Sequence, residues 1–372
     1  KAQNMALNAF VTREGGEMGR AQVVQAEAAG IEPTVDMNPI LIKPEADARS
    51  QVVVLGKPAF TLPAWDYYRH TQELMAIVER SFQRLASDYD LILIEGAGSP
   101  AEVNLREHEI VNMRVARMAG APVLLVGDID KGGVFASLVG TMAILRPVER
   151  RLVKGFIINK FRGDLRILKP GLDWLEEYTH RPVLGVVPYD YHLFINEEDS
   201  IQSPPPYQDG ALRQAQDGAG VVDIAVIRLP RISNSTDFEP LQAEPGVRVR
   251  YISHAHELGE PDALILPGTK STMADLAHLR RSGLADAILE RAKAGTPVVG
   301  ICGGFQMLGR ELRDPEHVES PEEAAPGLGL LEVVTWFERE KATRQVKARV
   351  LGGQGFLAGL EHCETPYLVT VP

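Results

Sequence analysis

Short apolar runs recur along the chain, and in the first half they do not alternate with polar residues. The first-half runs are 89–96, 122–128, 155–159 and 182–188, and the same rhythm resumes at 221–227, 247–252, 263–268 and 297–301. A strand that is apolar at every position is buried on both faces, as in a parallel sheet covered by helices. This order of strand, helix and strand predicts an α/β fold.

Candidate helices between these runs divide the chain into two α/β regions. They cover roughly 65–87, 107–119, 132–146 and 166–179, and then 271–282 and 284–294. Residues 197–220 are polar and contain three consecutive prolines, Pro204 to Pro206, which indicates a linker. We therefore expect two doubly wound domains with mainly parallel sheets, at 1–200 and 221–372, joined by a linker over 201–220.

The composition limits the partners of the chain. Of the 372 residues, 45% are hydrophobic and 24% are charged, as in globular proteins. The formal net charge is −11 and there is no basic run, so nucleic acid is not expected as a partner. No apolar run reaches the roughly 20 residues that span a bilayer, so a membrane is not expected either. Small-molecule substrates remain.

Cysteine usage and the first residue give two further expectations. Cys302 and Cys363 are too far apart in sequence to form a CxxC pair or a set of zinc ligands. Neither a disulfide framework nor a zinc site is therefore predicted, and a cytoplasmic location fits best. The sequence begins with Lys1 rather than Met, so we expect it to start inside a longer chain.

The strongest local signal is the apolar run 297–301, which leads into Cys302, Gly303 and Gly304 and then into a helical pattern. This order of strand, turn and helix exposes a nucleophile at the top of a parallel sheet, where glycines permit the strained turn. The N–H groups at the start of the helix favour the thiolate of Cys302 over the thiol. An isolated cysteine is more often a buried structural residue, but the flanking glycines favour a nucleophile here.

A second run, 263–268, ends in a turn at Gly268 ahead of another helix. In a parallel sheet the backbone N–H groups of this turn can face the same crevice as Cys302. Together with the N–H of Gly303 they can stabilise a tetrahedral oxyanion. An ordinary turn in which Ser271 or Thr272 caps the helix is an equally good interpretation of this segment alone.

Several motifs resemble known enzymes. The segments 267–272 and 300–309 resemble the class I, or triad-type, glutamine amidotransferase domain. The segments 1–8, 15–22, 95–105 and 229–234 closely resemble the cobyric acid synthase family, and they follow the order of that family in both halves of the chain. The resemblance covers nearly the whole chain. It implies an ATP domain of the P-loop, dethiobiotin-synthetase-like type, followed by a flavodoxin-like amidotransferase domain.

By this resemblance Cys302 attacks the side-chain amide of glutamine and releases ammonia, while Gly268 and Gly303 form the oxyanion hole. A histidine must also move protons. The family carries it in a later His-Gly segment, whereas the match here stops at 357–361. The other histidines of this half do not lie in the required sequence context: His254, His256, His278, His317 and His362. We expect either that the histidine lies beyond Pro372 or that this glutaminase is inactive.

Amide synthesis from a carboxylate requires activation because hydroxide is a poor leaving group, so an acyl phosphate made from ATP is expected. No phosphate loop of the form Gly-x-x-x-x-Gly-Lys-Ser/Thr is present, and the resemblance implies that it lies upstream of Lys1. The resemblance also implies Mg²⁺ at Glu95, with Glu17 as a weaker second ligand. A helix-capping acid is the alternative for Glu95. The other implied ATP-binding and substrate-binding positions are Lys1, Asn4, Asp128, Asp130, Lys131, Asn159 and Pro188.

The resemblance implies a ligase that uses ATP and glutamine to amidate carboxylates b, d, e and g of adenosylcobyrinic acid a,c-diamide in cobalamin biosynthesis. Glutamine and this corrinoid are then its partners. A cobyrinic acid a,c-diamide synthase-type amidotransferase is the related alternative, and a non-catalytic ATP-binding scaffold is the alternative from another class. The sequence specifies neither the order of the amidations, nor the corrin contacts, nor the oligomeric state.

Overall fold

A computed structural model of the protein describes residues 1–46, 49–190 and 221–339. The described residues form two compact units. The first contains Lys1–Asn4, Asp36–Ile40 and the described part of Leu62–Asn196, and the second contains Met5–Val35, Leu41–Thr61 and the described part of Glu197–Pro372. The expected linker at 201–220 lies outside the described residues.

The chain begins with short strands and one helix: β1 (Gln3–Met5), β2 (Ala9–Val11), β3 (Glu17–Gly19), α1 (Arg20–Ala28), β4 (Ile40–Ala46), β5 (Arg49–Val54) and β6 (Lys57–Pro63). β2 and β3 form an antiparallel pair in which Phe10 lies opposite Met18. β4, β5 and β6 are neighbours in a sheet to which β1 adds an edge. Sequence analysis assigned no element to this region, in which β1, β2 and β3 have only three residues each.

The rest of the first unit contains, in its described residues, six α-helices and three strands: α2 (Ala64–Tyr67), α3 (Thr71–Asp88), α4 (Met113–Ala119), β7 (Val123–Asp128), α5 (Val134–Ile144), α6 (Pro147–Arg150), β8 (Val153–Phe161), α7 (Leu165–Thr179) and β9 (Val183–Pro188). The three strands form a parallel sheet in the order β7-β8-β9. Side chains from α5 and α7 pack with buried Phe156 and Ile158 of β8 to form its core. These elements confirm the predicted parallel sheet and helices.

Two sequence predictions for this unit are wrong. Residues 91–97 form no strand, and Leu91 and Leu93 are 76% and 86% exposed. The sheet is also not buried on both faces by the described residues, since Leu124 and Leu184 are exposed. An apolar run becomes a strand only where a neighbouring strand satisfies its backbone hydrogen bonds. No described strand pairs with 91–97, and the local sequence does not contain that information.

The second half of the chain contains β10 (Val222–Ile227), α8 (Glu239–Ala243), β11 (Val247–Ile252), β12 (Ala263–Leu266), α9 (Thr272–Arg281), α10 (Leu284–Lys293), β13 (Val298–Gly300), α11 (Gly303–Leu308), β14 (Glu311–Arg313), β15 (Ala324–Pro326) and β16 (Val334–Trp336). The first four strands form a parallel sheet in the order β11-β10-β12-β13. In chain order this is 2-1-3-4, which is the flavodoxin-like arrangement.

Both faces of this sheet are covered, as predicted for it. One face packs against α9, α10 and α11 through a core that includes Leu264, Leu276 and Ile288. The other face buries Val226 and Ile265 against Phe238. The strand order reverses between β10 and β12, so the loops that follow these two strands flank a crevice at the carboxyl edge of the sheet. Short strands β14, β15 and β16 form a separate three-stranded sheet.

Candidate active site

Cys302 forms the turn between β13 and α11. Its φ of +49° and ψ of −114° lie in a region that side chains other than glycine rarely adopt. Cys302 is exposed and is in no disulfide among the described residues. An exposed residue in a strained turn between a strand and a helix is the geometry that the sequence predicted here, and such a turn can carry a nucleophile.

Close packing explains why glycine follows this turn. A Cβ atom at Gly304 would lie 2.1 Å from the carbonyl oxygen of Leu266, the last residue of β12. The N–H of Gly304 donates to the carbonyl oxygen of Ile301 at 2.8 Å, which tightens the turn. The start of α11 is therefore packed directly on the end of β12, and this contact brings Cys302 to the loop after that strand.

The two expected oxyanion-hole residues lie next to Cys302. A Cβ atom built on Gly268 would be 3.6 Å from the Cβ of Cys302, and Gly303 follows Cys302 directly. Among the described residues, neither the N–H of Gly268 nor that of Gly303 donates a hydrogen bond. Two backbone N–H donors beside a nucleophile can stabilise the negative charge that develops on a carbonyl oxygen under attack.

A network of hydrogen bonds holds the loop that carries Gly268. The N–H of Ser233 donates to the carbonyl oxygen of Gly268 at 2.9 Å. The N–H of Lys270 donates to the carbonyl oxygen of Arg231 at 3.0 Å. Asp275, which is fully buried, accepts from the Thr269 hydroxyl at 2.6 Å and from the Arg231 N–H at 3.1 Å. Burial raises the pKa of Asp275 above its ordinary value, against these hydrogen bonds and the charge of Arg231. The loop after β10 thus fixes the loop after β12.

In the first unit, five of the expected positions lie at the carboxyl edge of the β7-β8-β9 sheet. Asp128 and Asn159 pair across β7 and β8, and Pro188 ends β9. Asp128 lies 3.1 Å from the Nζ of Lys160, and Asp130 lies 3.0 Å from the Nε of Arg162. Burial alone would raise the pKa of Asp128, but the Lys160 hydrogen bond and the backbone N–H of Asp130 outweigh it and hold the pKa below its usual range. Lys131 is exposed beside them.

Lys1 and Glu95 also lie together in the first unit. Their Nζ and Oε2 atoms are 3.9 Å apart, and the Lys1 side chain is 2% exposed whereas that of Glu95 is 49% exposed. Asn4 is buried. A half-exposed carboxylate at this position fits a magnesium ion, which binds one or two protein carboxylates and completes its shell with phosphate oxygens and water.

Glu17 lies in the second unit and does not fit a magnesium site. Its Oε2 accepts a hydrogen bond of 2.9 Å from the Nζ of Lys43, and both side chains are buried. Unlike the half-exposed Glu95, this carboxylate is buried against its lysine and is not accessible to an ion that also binds phosphate oxygens and water. Within the described residues, no three His, Cys, Asp or Glu side chains are grouped as metal ligands.

Comparison with known proteins decides the family. A model of the CobB/CobQ-like glutamine amidotransferase domain matches residues 223–363, and a model of the AAA domain matches 28–194. The cobyric acid synthase of Sorangium cellulosum is 61% identical over 353 residues, which are 95% of this chain and 67% of that protein. The chain belongs to the cobyric acid synthase family. The same enzyme of Dehalococcoides mccartyi is 54% identical over 98% of this chain and 71% of its own length, and that of Moorella thermoacetica is 56% identical over 97% and 69%.

Membership of the cobyric acid synthase family confirms several expectations. The chain is a glutamine-dependent amidotransferase of the ligase class, with an ATP-domain match before its amidotransferase domain. The two-part α/β fold is confirmed as well. None of the helices in the described ranges has the length and apolar character to span a lipid bilayer.

Four of the five histidines weighed above for this cobyric acid synthase homologue lie in the described residues. His254 lies 3.2 Å from Glu257, and His317 lies 3.2 Å from the carbonyl oxygen of Ser320. His278 is on α9, and His256 stacks at an angle beside His254. His362 is outside the described residues. No contact of these four histidines identifies one of them as the residue that moves protons for Cys302.

Sequence analysis missed Glu319, whose carboxyl group lies at the start of α9 beside the Gly268 loop. One oxygen accepts the N–H of Thr272, the first residue of α9, and the other is buried without a hydrogen bond among the described residues. Thr272 in turn donates from its hydroxyl to Gln306 of α11 at 3.2 Å. Burial raises the pKa of Glu319 to about 7. A buried acid that titrates near neutrality is typical of functional sites.

The position of Glu319 depends on Asp314. This carboxylate is fully buried and accepts the N–H groups of Val318, Glu319 and Ser320 at 2.7, 2.8 and 2.8 Å. The loop therefore folds back on itself and directs Glu319 onto α9. Asp314-Pro315 is a turn signal that sequence reasoning can find, but it does not reveal which element the loop meets.

Proposed function

We propose that this chain carries out the reaction named for its family, the amidation of carboxylates b, d, e and g of adenosylcobyrinic acid a,c-diamide with glutamine and ATP. The observation that carries the proposal is the strained, exposed Cys302 beside the N–H groups of Gly268 and Gly303, which donate to no group in the described ranges, in a cobyric acid synthase homologue. ATP and glutamine are cytoplasmic metabolites, so the proposed reaction belongs to the cytoplasm.

The amidotransferase half supplies ammonia. The thiolate of Cys302 attacks the side-chain carbonyl carbon of glutamine, and the N–H groups of Gly268 and Gly303 hold the oxyanion of the tetrahedral intermediate. The C–N bond breaks, the nitrogen leaves as ammonia after it takes a proton, and a thioester to Cys302 remains. Water then hydrolyses the thioester to glutamate and restores the thiol.

The first half uses this ammonia. A substrate carboxylate oxygen attacks the γ-phosphorus of ATP, and ADP leaves. Ammonia then attacks the carbonyl carbon of the acyl phosphate, and a proton and phosphate are released as the amide forms. Lys1, Asn4, Asp128, Asp130, Lys131, Asn159 and Pro188 are proposed to bind ATP or the substrate. Glu95 is the proposed Mg²⁺ ligand, and the ion would neutralise phosphate charge. The buried Nζ of Lys1, close to Glu95, can orient a carboxylate or phosphate oxygen at the same place.

We also propose the domain ranges 1–200 and 221–372, with a linker at 201–220. The two family matches, at 28–194 and 223–363, support this division because they lie on either side of the proposed linker. The name of the relatives supports cobyric acid synthesis over the cobyrinic acid a,c-diamide synthase alternative.

The test uses the natural protein, expressed from its complete reading frame. It is incubated with ATP, Mg²⁺, glutamine and adenosylcobyrinic acid a,c-diamide, and mass spectrometry counts the carboxylates that become amides. Four conversions are expected. No conversion by folded protein would refute the proposal. A parallel incubation replaces the a,c-diamide with cobyrinic acid, and formation of the a,c-diamide there, without amidation of the a,c-diamide itself, would favour the related enzyme.

A further inference from the structure

An arginine-rich cleft in the first unit has no role in the reaction described so far. It has a volume of about 460 Å³, and five of its ten lining residues are arginines: Arg69, Arg106, Arg114, Arg117 and Arg146. This volume lies in the range of small-ligand sites. A guanidinium group binds carboxylate or phosphate oxygens through two parallel N–H bonds, so the cleft is chemically suited to an anion with several such groups.

Two acidic residues, Glu107 and Glu109, line the cleft together with the five arginines. Arg146 is paired with Glu149, and Arg69 lies 3.3 Å from Asp66. Glu109, which lines the cleft, is occupied by backbone donors. Arg106, Arg114 and Arg117, in contrast, have no carboxylate within ion-pair distance in the parts of the chain that the structure describes. The five arginines outnumber the two glutamates that line the cleft, so the cleft keeps an excess of positive charge.

The backbone holds these three arginines in place. The carboxylate of Glu109 accepts the N–H groups of Val111 and Arg114 at 3.1 and 2.7 Å, which fixes the start of α4. Arg114 and Arg117 are three residues apart and so project from one side of that helix. Arg106 donates to the carbonyl oxygen of Ile144 at 2.8 Å. The guanidinium groups are thus presented by a fixed scaffold.

The same segment is tied to the proposed magnesium position. Asn112, which precedes α4, accepts the N–H of Ala97 at 3.0 Å and donates to its carbonyl oxygen at 2.8 Å. A Cβ atom at Gly96 would lie 2.2 Å from the Asn112 side chain, so glycine is required for this contact. Glu95 directly precedes this anchored pair. The segment that carries Arg114 and Arg117 is therefore hydrogen-bonded, through Asn112, to the residues that directly follow the proposed magnesium ligand Glu95.

From these observations we propose that the cleft of Arg106, Arg114 and Arg117 binds peripheral carboxylates of the corrinoid substrate and holds the macrocycle while another carboxylate is activated. This inference rests on the proposed function, because that function supplies a ligand with several carboxylates at its edge. ATP is a second source of the same oxyanion chemistry, and the experiment separates the two.

The experiment measures equilibrium binding of adenosylcobyrinic acid a,c-diamide, and separately of ATP, to the natural protein. The variant Arg114→Gln/Arg117→Gln removes two guanidinium groups. The control Arg80→Gln/Arg151→Gln removes the same charge from two exposed arginines outside the cleft. We expect the cleft variant to lose about tenfold or more in corrinoid affinity and to show a weaker salt dependence. Its affinity for ATP and that of the control for both ligands should stay unchanged.

A second variant, Arg114→Lys/Arg117→Lys, keeps the charge and removes the planar fork, and its corrinoid affinity should lie between those of the wild type and the glutamine variant. Circular dichroism checks that each variant is folded. Unchanged corrinoid affinity in the glutamine variant, or an equal loss in the control, would overturn the inference. Loss of ATP affinity with corrinoid binding intact would overturn it as well, in favour of the nucleotide.

The two proposals fail in different ways. If the wild-type protein amidates no carboxylate, the proposed function fails. If it amidates four and the cleft variant binds the corrinoid as tightly as the wild type, the proposed function stands and the role of the cleft fails.

Discussion

Replacing Glu319 with glutamine should make the stability of the amidotransferase unit less dependent on pH. Burial raises the pKa of Glu319 from 4.5 to about 7. The folded state therefore holds the proton more strongly than the unfolded chain does. As the pH rises from 4.5 to 7, the unfolded chain releases this proton first, so the free energy of unfolding falls over that interval and levels off above pH 7.

The size of the effect follows from the shift. One pKa unit corresponds to about 1.4 kcal/mol, so a shift to about 7 amounts to about 3 kcal/mol of stability lost between pH 4.5 and 8. Glutamine has no proton to lose and nearly the same shape. The unfolding free energy of Glu319→Gln minus that of the wild type should therefore increase by about 3 kcal/mol over the same range.

Hydrogen–deuterium exchange of peptides that cover Thr272–Arg281 measures this difference at each pH. These peptides have the same sequence in variant and wild type, so the intrinsic exchange rates are equal and the ratio of observed rates gives the difference in unfolding free energy. Glu322→Gln is the matched control, since Glu322 is exposed in the same loop. The difference between this control and the wild type should stay near zero throughout. A Glu319→Gln difference that is constant from pH 5 to 8 would refute the argument that burial keeps Glu319 protonated.

Four further outcomes are expected. Cys302→Ala should abolish glutamine-dependent amidation and leave ammonia-dependent amidation intact; loss of both in folded protein would contradict separate sites. Gly304→Ala, with its Cβ 2.1 Å from the Leu266 oxygen, should cost about 1–3 kcal/mol in denaturant titrations and slow glutamine hydrolysis. Asp275→Ala leaves the Thr269 hydroxyl and Arg231 N–H without their acceptor, so steady-state kinetics should show a lower glutaminase kcat; an unchanged kcat would remove Asp275 from the support of the oxyanion loop. Lys43→Met should destabilise the protein by about 3–5 kcal/mol, and Lys43→Met/Glu17→Gln by clearly less, as measured by thermal unfolding.

The sequence predicted the second half of the fold well because its signals are local. β10, β12 and β13 are short apolar runs, β11 alternates apolar residues with Arg248 and Arg250, and Cys302 is followed by glycines that the packing requires. Where a parallel strand ends, the loop that follows lies at a known edge of the sheet. The proximity of Gly268 to Cys302 could therefore be expected before any coordinates.

The parts that the sequence did not predict depend on distant partners. The run at 89–96 is as apolar as a buried strand, yet Leu93 is exposed and no described strand pairs with it. Glu17 was a candidate metal ligand by resemblance, but its neighbour is Lys43, 26 residues away. Glu319 contacts α9 across 47 residues. No periodicity or spacing connects such pairs, so only the folded chain reveals them.

Two acids with raised pKa values, Glu319 and Asp275, hold the start of α9 and the Gly268 loop that precedes it. Glu319 accepts a hydrogen bond at the first residue of α9, and Asp275 holds Thr269 from within that helix. Burying both carboxyl groups lowers stability, and the core of this unit offsets that loss through side chains such as Leu276 and Ile288. What the acids provide is fixed geometry: the helix start and the loop cannot shift without leaving a buried polar group unpaired. In the proposed mechanism the N–H of Gly268 stabilises the oxyanion, and a rigid loop meets the requirement that such a donor be in place without reorganisation.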